Sequence, residues 1–78
     1  MFKITSTTSS NANPAKTYDT GIRYQDHWRA LERLGNIEEK ALRNHKEIAV
    51  NDSNILVVRD FNDNEGRITT VYAIVETD

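Results

Sequence analysis

The stretch of this sequence with the clearest metal-ligand chemistry is RDFNDNEGRITT, residues 59–70. Three oxygen-bearing side chains alternate in it, as they do in an EF-hand calcium loop: Asp60, Asn62 and Asn64. That loop also needs glycine at its sixth position and glutamate at its twelfth, but counting from Asp60 these positions hold Glu65 and Val71. The flanks are typical of strands, so we interpret the stretch as a hairpin turn in which Gly66 supplies a positive φ. The pattern therefore predicts a turn and no calcium site.

His27 is a candidate general base, because it follows Asp26 and a carboxylate can orient an imidazole. Neighbouring helix residues point about 100° apart, however, and do not face each other. No nucleophile stands near His27 in a recognisable setting, and His45 is eighteen residues away, which is not a metal-site spacing. We therefore expect no catalytic residue, no metal, no cofactor and no enzymatic activity. A small enzyme that uses His27 is the third-ranked hypothesis.

Four basic residues are the candidate nucleic-acid site, which we call the basic stripe. On one continuous helix they would share an arc of roughly 80° opposite the apolar face: Arg29, Arg33, Lys40 and Arg43. Two interpretations stay open. The stripe could bind nucleic acid, or it could be a solvated face that pairs with its own acids, since Glu39 and Arg43 have the favourable i,i+4 spacing. A helix-turn-helix is disfavoured, because its second helix would present Glu38 and Glu39 to the phosphates.

Acidic residues define a second candidate surface, for a protein partner. Residues 51–78 carry six acids against Arg59 and Arg67. Three of these acids surround one predicted hairpin tip, which we call the acidic tip: Asp60, Asp63 and Glu65. A solvated acidic tip would dock a basic surface, such as that of a nucleic-acid-handling protein, and would mainly raise the association rate. The alternative is that these acids only keep a sheet edge soluble.

The periodicity of residues 20–45 predicts the helical region that must carry the basic stripe. Six residues share its apolar arc: Tyr24, His27, Trp28, Ala30, Leu31 and Leu34. We expect Trp28 to be a core anchor whose truncation unfolds the domain. Gly35 interrupts the region and Asn36 begins a capping-box pattern, so we favour a break or kink near Gly35. The alternative is a single helix that tolerates this glycine at a cost of ~1 kcal/mol.

Strand patterns surround the helical region. The residues FKIT (2–5) predict a short strand, and the polar residues 5–18 predict a loop or mobile arm. Residues 47–76 contain three β-rich runs separated by turn-type clusters, which predicts a three-stranded antiparallel meander. Both faces of the last strand are apolar, so we expect it to be central or to be buried on both sides. The fold class is therefore α+β, a single small domain over residues 1–78 with helices on one face of the sheet.

Composition limits the remaining possibilities. A chain of 78 residues with 28% charged residues forms a thin core, since a chain this short buries only about 60% of its unfolded surface. There is no cysteine for a disulfide, which suits a reducing compartment, and we expect a cytoplasmic location. No apolar stretch approaches the ~18 residues of a membrane helix and no signal peptide is evident, so we expect no membrane partner and a mature chain equal to the whole chain.

These observations favour a non-enzymatic binding protein that acts through its surface. We expect an inhibitor, adaptor or regulator of a larger macromolecule. Phage and mobile-element inhibitors of host machinery, including anti-CRISPR proteins, share this length and lack of motifs, which is an association of class and not a sequence match. The alternative is a nucleic-acid-binding regulator that uses the basic stripe. A homodimer, or tight docking on a partner, is also expected, because the meander offers an unpaired edge.

Overall fold

The computed structural model describes residues 1–77, which form one helix packed on a five-stranded antiparallel sheet. The elements are β1 (Phe2–Ser10), β2 (Lys16–Asp19), α1 (His27–Arg43), β3 (Glu47–Asn51), β4 (Ile55–Asn62) and β5 (Gly66–Glu76). The strands lie in the order β2-β1-β5-β4-β3. The predicted α+β class is therefore confirmed. Within residues 1–77, no helix has the length and apolar character needed to cross a membrane.

The predicted meander is present as β3, β4 and β5, but it is only part of the sheet. β1 pairs with β5 over its whole length, from Phe2 opposite Glu76 to Ser10 opposite Ile68. β2 then adds to the other side of β1. As a result β5 is the middle strand, as its two apolar faces predicted.

The prediction of a loop or mobile arm over residues 5–18 is wrong. β1 continues to Ser10, and Lys16–Asp19 form a strand of their own. Threonine is β-branched and favours a strand even where it buries little, and the backbone hydrogen bonds of β1 are supplied by β5. Hydroxyl contacts between strands add to this pairing, such as Thr7 Oγ1 to Thr17 Oγ1 at 2.8 Å. Polarity indicated exposure correctly for residues 11–19, whereas residues 5–10 are half-buried between their neighbouring strands.

The predicted break near Gly35 is also wrong, because α1 is a single helix from His27 to Arg43. The helix starts seven residues later than predicted, since residues 20–26 are not helical. Tyr24 instead pairs with Phe2 through two backbone hydrogen bonds of 2.8 Å. At the other end the chain leaves the helix through His45 at φ 60°, and the Lys46 N–H donates to the Ala41 carbonyl at 2.9 Å. This is a Schellman termination with histidine where glycine is usual.

The core lies between α1 and the sheet face that we call the helix face. Its buried centre consists of Leu34, Ala41, Leu56 and Val58, with Ile37, Ile48, Tyr72 and Ile74 packed around it. On α1 the buried residues are Ala30, Leu34 and Ala41. Two of these three are alanines, which let the helix backbone approach the strands closely.

Trp28 is not a core anchor, and this expectation is corrected. Its side chain is 56% exposed, and the Arg29 guanidinium carbon lies 4.9 Å from its ring centroid. The buried side of α1 is centred near Ala30, and two residues along a helix turn the side chain by roughly 200°, so Trp28 points away from the sheet. The apolar arc of the sequence was too wide to show which part of it would be buried.

Trp28→Ala should therefore leave the protein folded and lower its free energy of unfolding by no more than ~1 kcal/mol, because little apolar area leaves a packed environment. Leu34→Ala is the control, since Leu34 is 5% exposed and its truncation should cost ~2–5 kcal/mol. Urea unfolding followed by circular dichroism measures both values. Equal losses in the two variants would restore Trp28 to the core.

Two glycine substitutions should change stability in opposite directions. Gly35 is inside α1, and apart from its chain neighbours and the helix backbone no atom lies within 4 Å of the point where a Cβ would stand, so Gly35→Ala should add up to ~1 kcal/mol. Gly66 has φ +74°, and a Cβ there would lie 2.6 Å from Asn11 Nδ2, so Gly66→Ala should destabilise the protein by ~1 kcal/mol or more. Thermal unfolding of both variants tests this. A destabilised Gly35→Ala variant would contradict the continuous helix.

Candidate binding surfaces

The sheet has a second face that no described element covers, and we call it the open face. Residues directly opposite each other in neighbouring strands share a face, and β4 and β5 pair Ile55 with Ala73 and Val57 with Val71. These positions alternate with the core residues of the same strands, and the helix packs on the core side. Its centre consists of six aliphatic residues: Val50, Ile55, Val57, Val71, Ala73 and Val75. Lys3, which lies opposite Val75, shares this face.

A register shift in β3 enlarges the open face. Ile48 lies opposite Val58 on the helix face, whereas Val50 lies opposite Val57 on the open face. The pairing shifts between Ile48 and Val50, so an extra residue turns the valine to the opposite side. Three of the six aliphatic side chains are strongly exposed, namely Val50 at 45%, Ile55 at 41% and Val75 at 39%. The face is therefore both apolar and accessible.

One end of the open face is aromatic and basic. Phe61 is 71% exposed and pairs with Arg67, while Arg59 pairs with Thr69 and Glu47. Within residues 1–77 neither arginine lies within 4 Å of a carboxylate. The alternation of the strand separates these cations from Asp60, which belongs to the helix face. The hairpin that looked acidic in sequence therefore presents arginines on one face.

The acidic tip is not a single unpaired cluster. Asp60 is in β4, and its carboxylate lies 3.9 Å from the Lys46 ammonium. Glu65 accepts a hydrogen bond of 2.8 Å from the Asn13 side-chain amide, which ties the β4–β5 turn to the β1–β2 turn. Asp63 is exposed in the turn itself. The structure thus places two of the three acids in local contacts, and docking through this tip stays a prediction.

The calcium-like pattern is a turn, as predicted. Gly66 has φ +74°, and the Asn62 side-chain oxygen accepts a hydrogen bond of 2.8 Å from the Asn64 N–H. The amide side chain therefore stabilises the turn itself. Among residues 1–77 there is no group of three or more His, Cys, Asp or Glu side chains that could hold a metal ion.

His27 is part of the framework that holds the start of α1. Its ring centroid lies 5.2 Å from that of Phe2, and its Nε2 is 2.6 Å from Asn54 Oδ1. Asp26, the expected carboxylate partner, instead lies 3.7 Å from the Arg29 side chain. These contacts join the helix to β1 and to the turn before β4, and they do not assemble a general-base pair.

The continuous helix satisfies the geometric condition for the basic stripe. Arg29 contacts Asp26 and the Trp28 ring. In the part of the chain that the structure describes, Arg33, Lys40 and Arg43 form no ion pair within 4 Å. The Glu39–Arg43 pair, on which the alternative interpretation depends, is therefore not formed. Three cations of the stripe are available to an external anion.

A groove that the sequence did not predict runs between α1 and the sheet, and we call it the helix–sheet groove. Its cavity volume is about 500 Å³. Residues 20–24 form one wall, α1 forms the other, and β1, β4 and β5 form the floor. Arg33 and Lys40 line the helix wall, and Lys46 and Asp60 lie among the lining residues. No sequence spacing indicates this groove, because its lining comes from five separate parts of the chain.

Asp19 fixes the start of residues 20–24, the segment that forms one wall of the groove. Its carboxylate accepts a hydrogen bond of 2.9 Å from the Gly21 N–H and contacts Lys3 and Arg23, each at 3.2 Å. The Gly21 hydrogen bond, followed by the Lys3 and Arg23 contacts, lowers the pKa of Asp19 from 3.8 to about 2. The charged carboxylate is therefore the form that the folded protein prefers.

This depressed pKa predicts an acid-sensitive contribution to stability. A carboxyl group with a lower pKa in the folded state stabilises the fold above its unfolded pKa and loses that effect as the pH falls from about 4 to about 2. Carboxyl chemical shifts of Asp19 followed by NMR should give a midpoint near 2, and Lys3→Gln should raise it. A midpoint near 4 in the unsubstituted protein would contradict the contacts described.

Comparison with protein-family models, with curated proteins and with solved structures finds no match for this chain.

Proposed function

We propose that this protein is a non-enzymatic binding protein, an inhibitor, adaptor or regulator, that docks another protein on its open face. The observation that carries the proposal is the exposure of aliphatic side chains on a sheet face that no described element covers. Where both faces of a sheet are apolar, a domain usually packs a layer of other elements against each face. Residues 1–77 supply no such second layer here, and a partner would supply it.

The chemistry of the open face describes the partner. Its aliphatic centre requires an apolar surface of similar flatness. At one end Phe61 is flanked by Arg59 and Arg67, and aromatic residues and arginine are enriched at protein–protein interfaces. The partner should therefore carry carboxylates beside an aliphatic patch, so that the two arginines gain counterions. The absence of cysteine from the sequence supports a cytoplasmic setting for this interaction.

The open-face double variant Ile55→Thr with Phe61→Ala tests this proposal. Both side chains are well exposed, so the fold should persist while capture of the partner from a lysate of the source cell falls at least about tenfold. The matched control is Ile22→Thr with Tyr18→Ala, which removes an isoleucine and an aromatic ring of 52% and 59% exposure away from the open face. Capture should survive in the control. Equal capture by both variants would contradict the proposal.

Light scattering of the isolated protein separates a foreign partner from a second copy. If the unsubstituted protein is a homodimer and the open-face double variant is a monomer, the open face binds a second copy of this chain. If the protein has the mass of a monomer at all micromolar concentrations, the expected homodimer is wrong and the open face is available to another protein.

A second candidate function is nucleic-acid binding through the basic stripe. It is supported by the continuous helix and by the absence of an ion pair at Arg33, Lys40 and Arg43 within residues 1–77. The same capture experiment, analysed for nucleic acid, distinguishes the two functions. Nucleic acid that is retained by the open-face variant but lost with Arg29→Gln and Arg43→Gln would favour this alternative.

A further inference from the structure

The helix–sheet groove combines features that the proposed protein-docking function does not use, and it shares Arg33 and Lys40 with the basic stripe. Its lining includes three cationic side chains, Arg33, Lys40 and Lys46, against one carboxylate, Asp60. The carboxylate lies 3.9 Å from Lys46, while Arg33 and Lys40 have no counterion within 4 Å among the described residues. The groove therefore carries an excess of positive charge on its helix wall.

The two uncompensated cations are placed along one wall. Arg33 and Lys40 are seven residues apart on α1, two helical turns, which separates them by roughly 10 Å along the axis. Asn36 and Asn44 also line this wall and add amide donors beside the charges. An extended molecule lying parallel to the helix would meet donors along most of its length.

The floor of the groove supplies a different chemistry. Ile4, Val58 and Ile68 are apolar, whereas Ser6 and Thr70 bring hydroxyl groups. The Thr70 hydroxyl shares a hydrogen bond of 3.2 Å with Thr8 Oγ1, and a hydroxyl oxygen has the capacity for a second hydrogen bond to a ligand. A floor that is apolar with a few hydroxyls fits the body of a small organic molecule.

Size favours a small ligand over a nucleic-acid strand. The volume of about 500 Å³ is within the range of roughly 300–1,000 Å³ that is typical of small-molecule sites. Nucleic acid would instead need a long charged surface, such as the outer side of the stripe at Arg29 and Arg43. Neither of these two arginines lines the groove.

We infer that the helix–sheet groove binds a small organic anion, with its carboxylate or phosphate groups against Arg33 and Lys40 and its apolar body on Ile4, Val58 and Ile68. This site is on the helix face, and its ligand does not compete for the open face. It is therefore independent of the proposed protein-docking function.

Titration of the isotopically labelled full chain with two anions, followed by NMR, tests the inference. Adenosine 5′-monophosphate is the phosphate-bearing anion and adipate is the carboxylate-bearing anion. Two controls separate their parts: adenosine has an organic body without the charge, and inorganic phosphate has the charge without an organic body. At least one of the two anions should produce saturable shifts at Ser6, Arg33 and Thr70 and bind more tightly than adenosine or inorganic phosphate. The anion that binds identifies the source, and failure of both would overturn the inference.

Charge-matched variants show whether the groove itself is responsible. Arg33→Gln with Lys40→Gln should weaken binding at least about tenfold, because two charge-assisted contacts are lost. Arg29→Gln with Arg43→Gln removes the same charge from the same helix outside the groove and should change the affinity less than about twofold. Equal weakening in the two pairs would mean general attraction of anions and would overturn the inference.

Two further measurements complete the test. Asp60→Asn removes the carboxylate from the groove and should strengthen anion binding about twofold or more. A twelve-nucleotide single strand serves as the competing probe. If it binds more tightly than either small anion and is weakened equally by both pairs of substitutions, the basic stripe is a nucleic-acid site and the inference fails. The spectra also report whether each variant is folded.

Discussion

The full-length pairing of β1 with β5 is the interaction on which the rest of this structure depends. It joins the two ends of the chain, and the Thr77 N–H donates to the Met1 carbonyl at 2.7 Å. Without it the sheet would be the three-stranded meander alone, with β5 at its edge. With it, β5 becomes the centre and β2 extends the sheet beyond the reach of the helix. Such long-range contacts form at a high entropic cost, which must be recovered by the strand pairing itself.

A single helix on a five-stranded sheet explains both candidate surfaces. α1 covers part of one face, packing through Leu34 and Ala41 onto Leu56 and Val58. Between α1, residues 20–24 and the uncovered part of the same face lies the helix–sheet groove. The opposite face receives no layer from the described chain. A single helix therefore leaves the open face uncovered and the groove beside it open.

Strand alternation divides the charges of the C-terminal half between these surfaces. Arg59 and Arg67 lie on the open face with Phe61, whereas Asp60 lies on the helix face near Lys46. In the sequence they form one mixed segment, and its net charge suggested an acidic docking tip. In the fold the two arginines and Asp60 lie on opposite faces of the sheet, because consecutive strand residues point in opposite directions. Net charge over a segment is thus a poor guide to the charge that a partner meets on a strand.

The sequence by itself determined the elements whose physical cause is local. The β-branched runs after residue 46, the turn at Gly66 and the central place of a strand with two apolar faces were all predictable, and so was the α+β class. Tertiary structure alone decided that Gly35 stays helical, because packing on both sides of it outweighs a cost of ~1 kcal/mol. It also decided that the polar residues of β1 and β2 become strands, since pairing with β5 supplies the hydrogen bonds of β1, and β1 in turn supplies those of β2. The burial of Ala30 instead of Trp28, and the groove itself, depend on which side of α1 meets the sheet, and a helical period does not specify that choice.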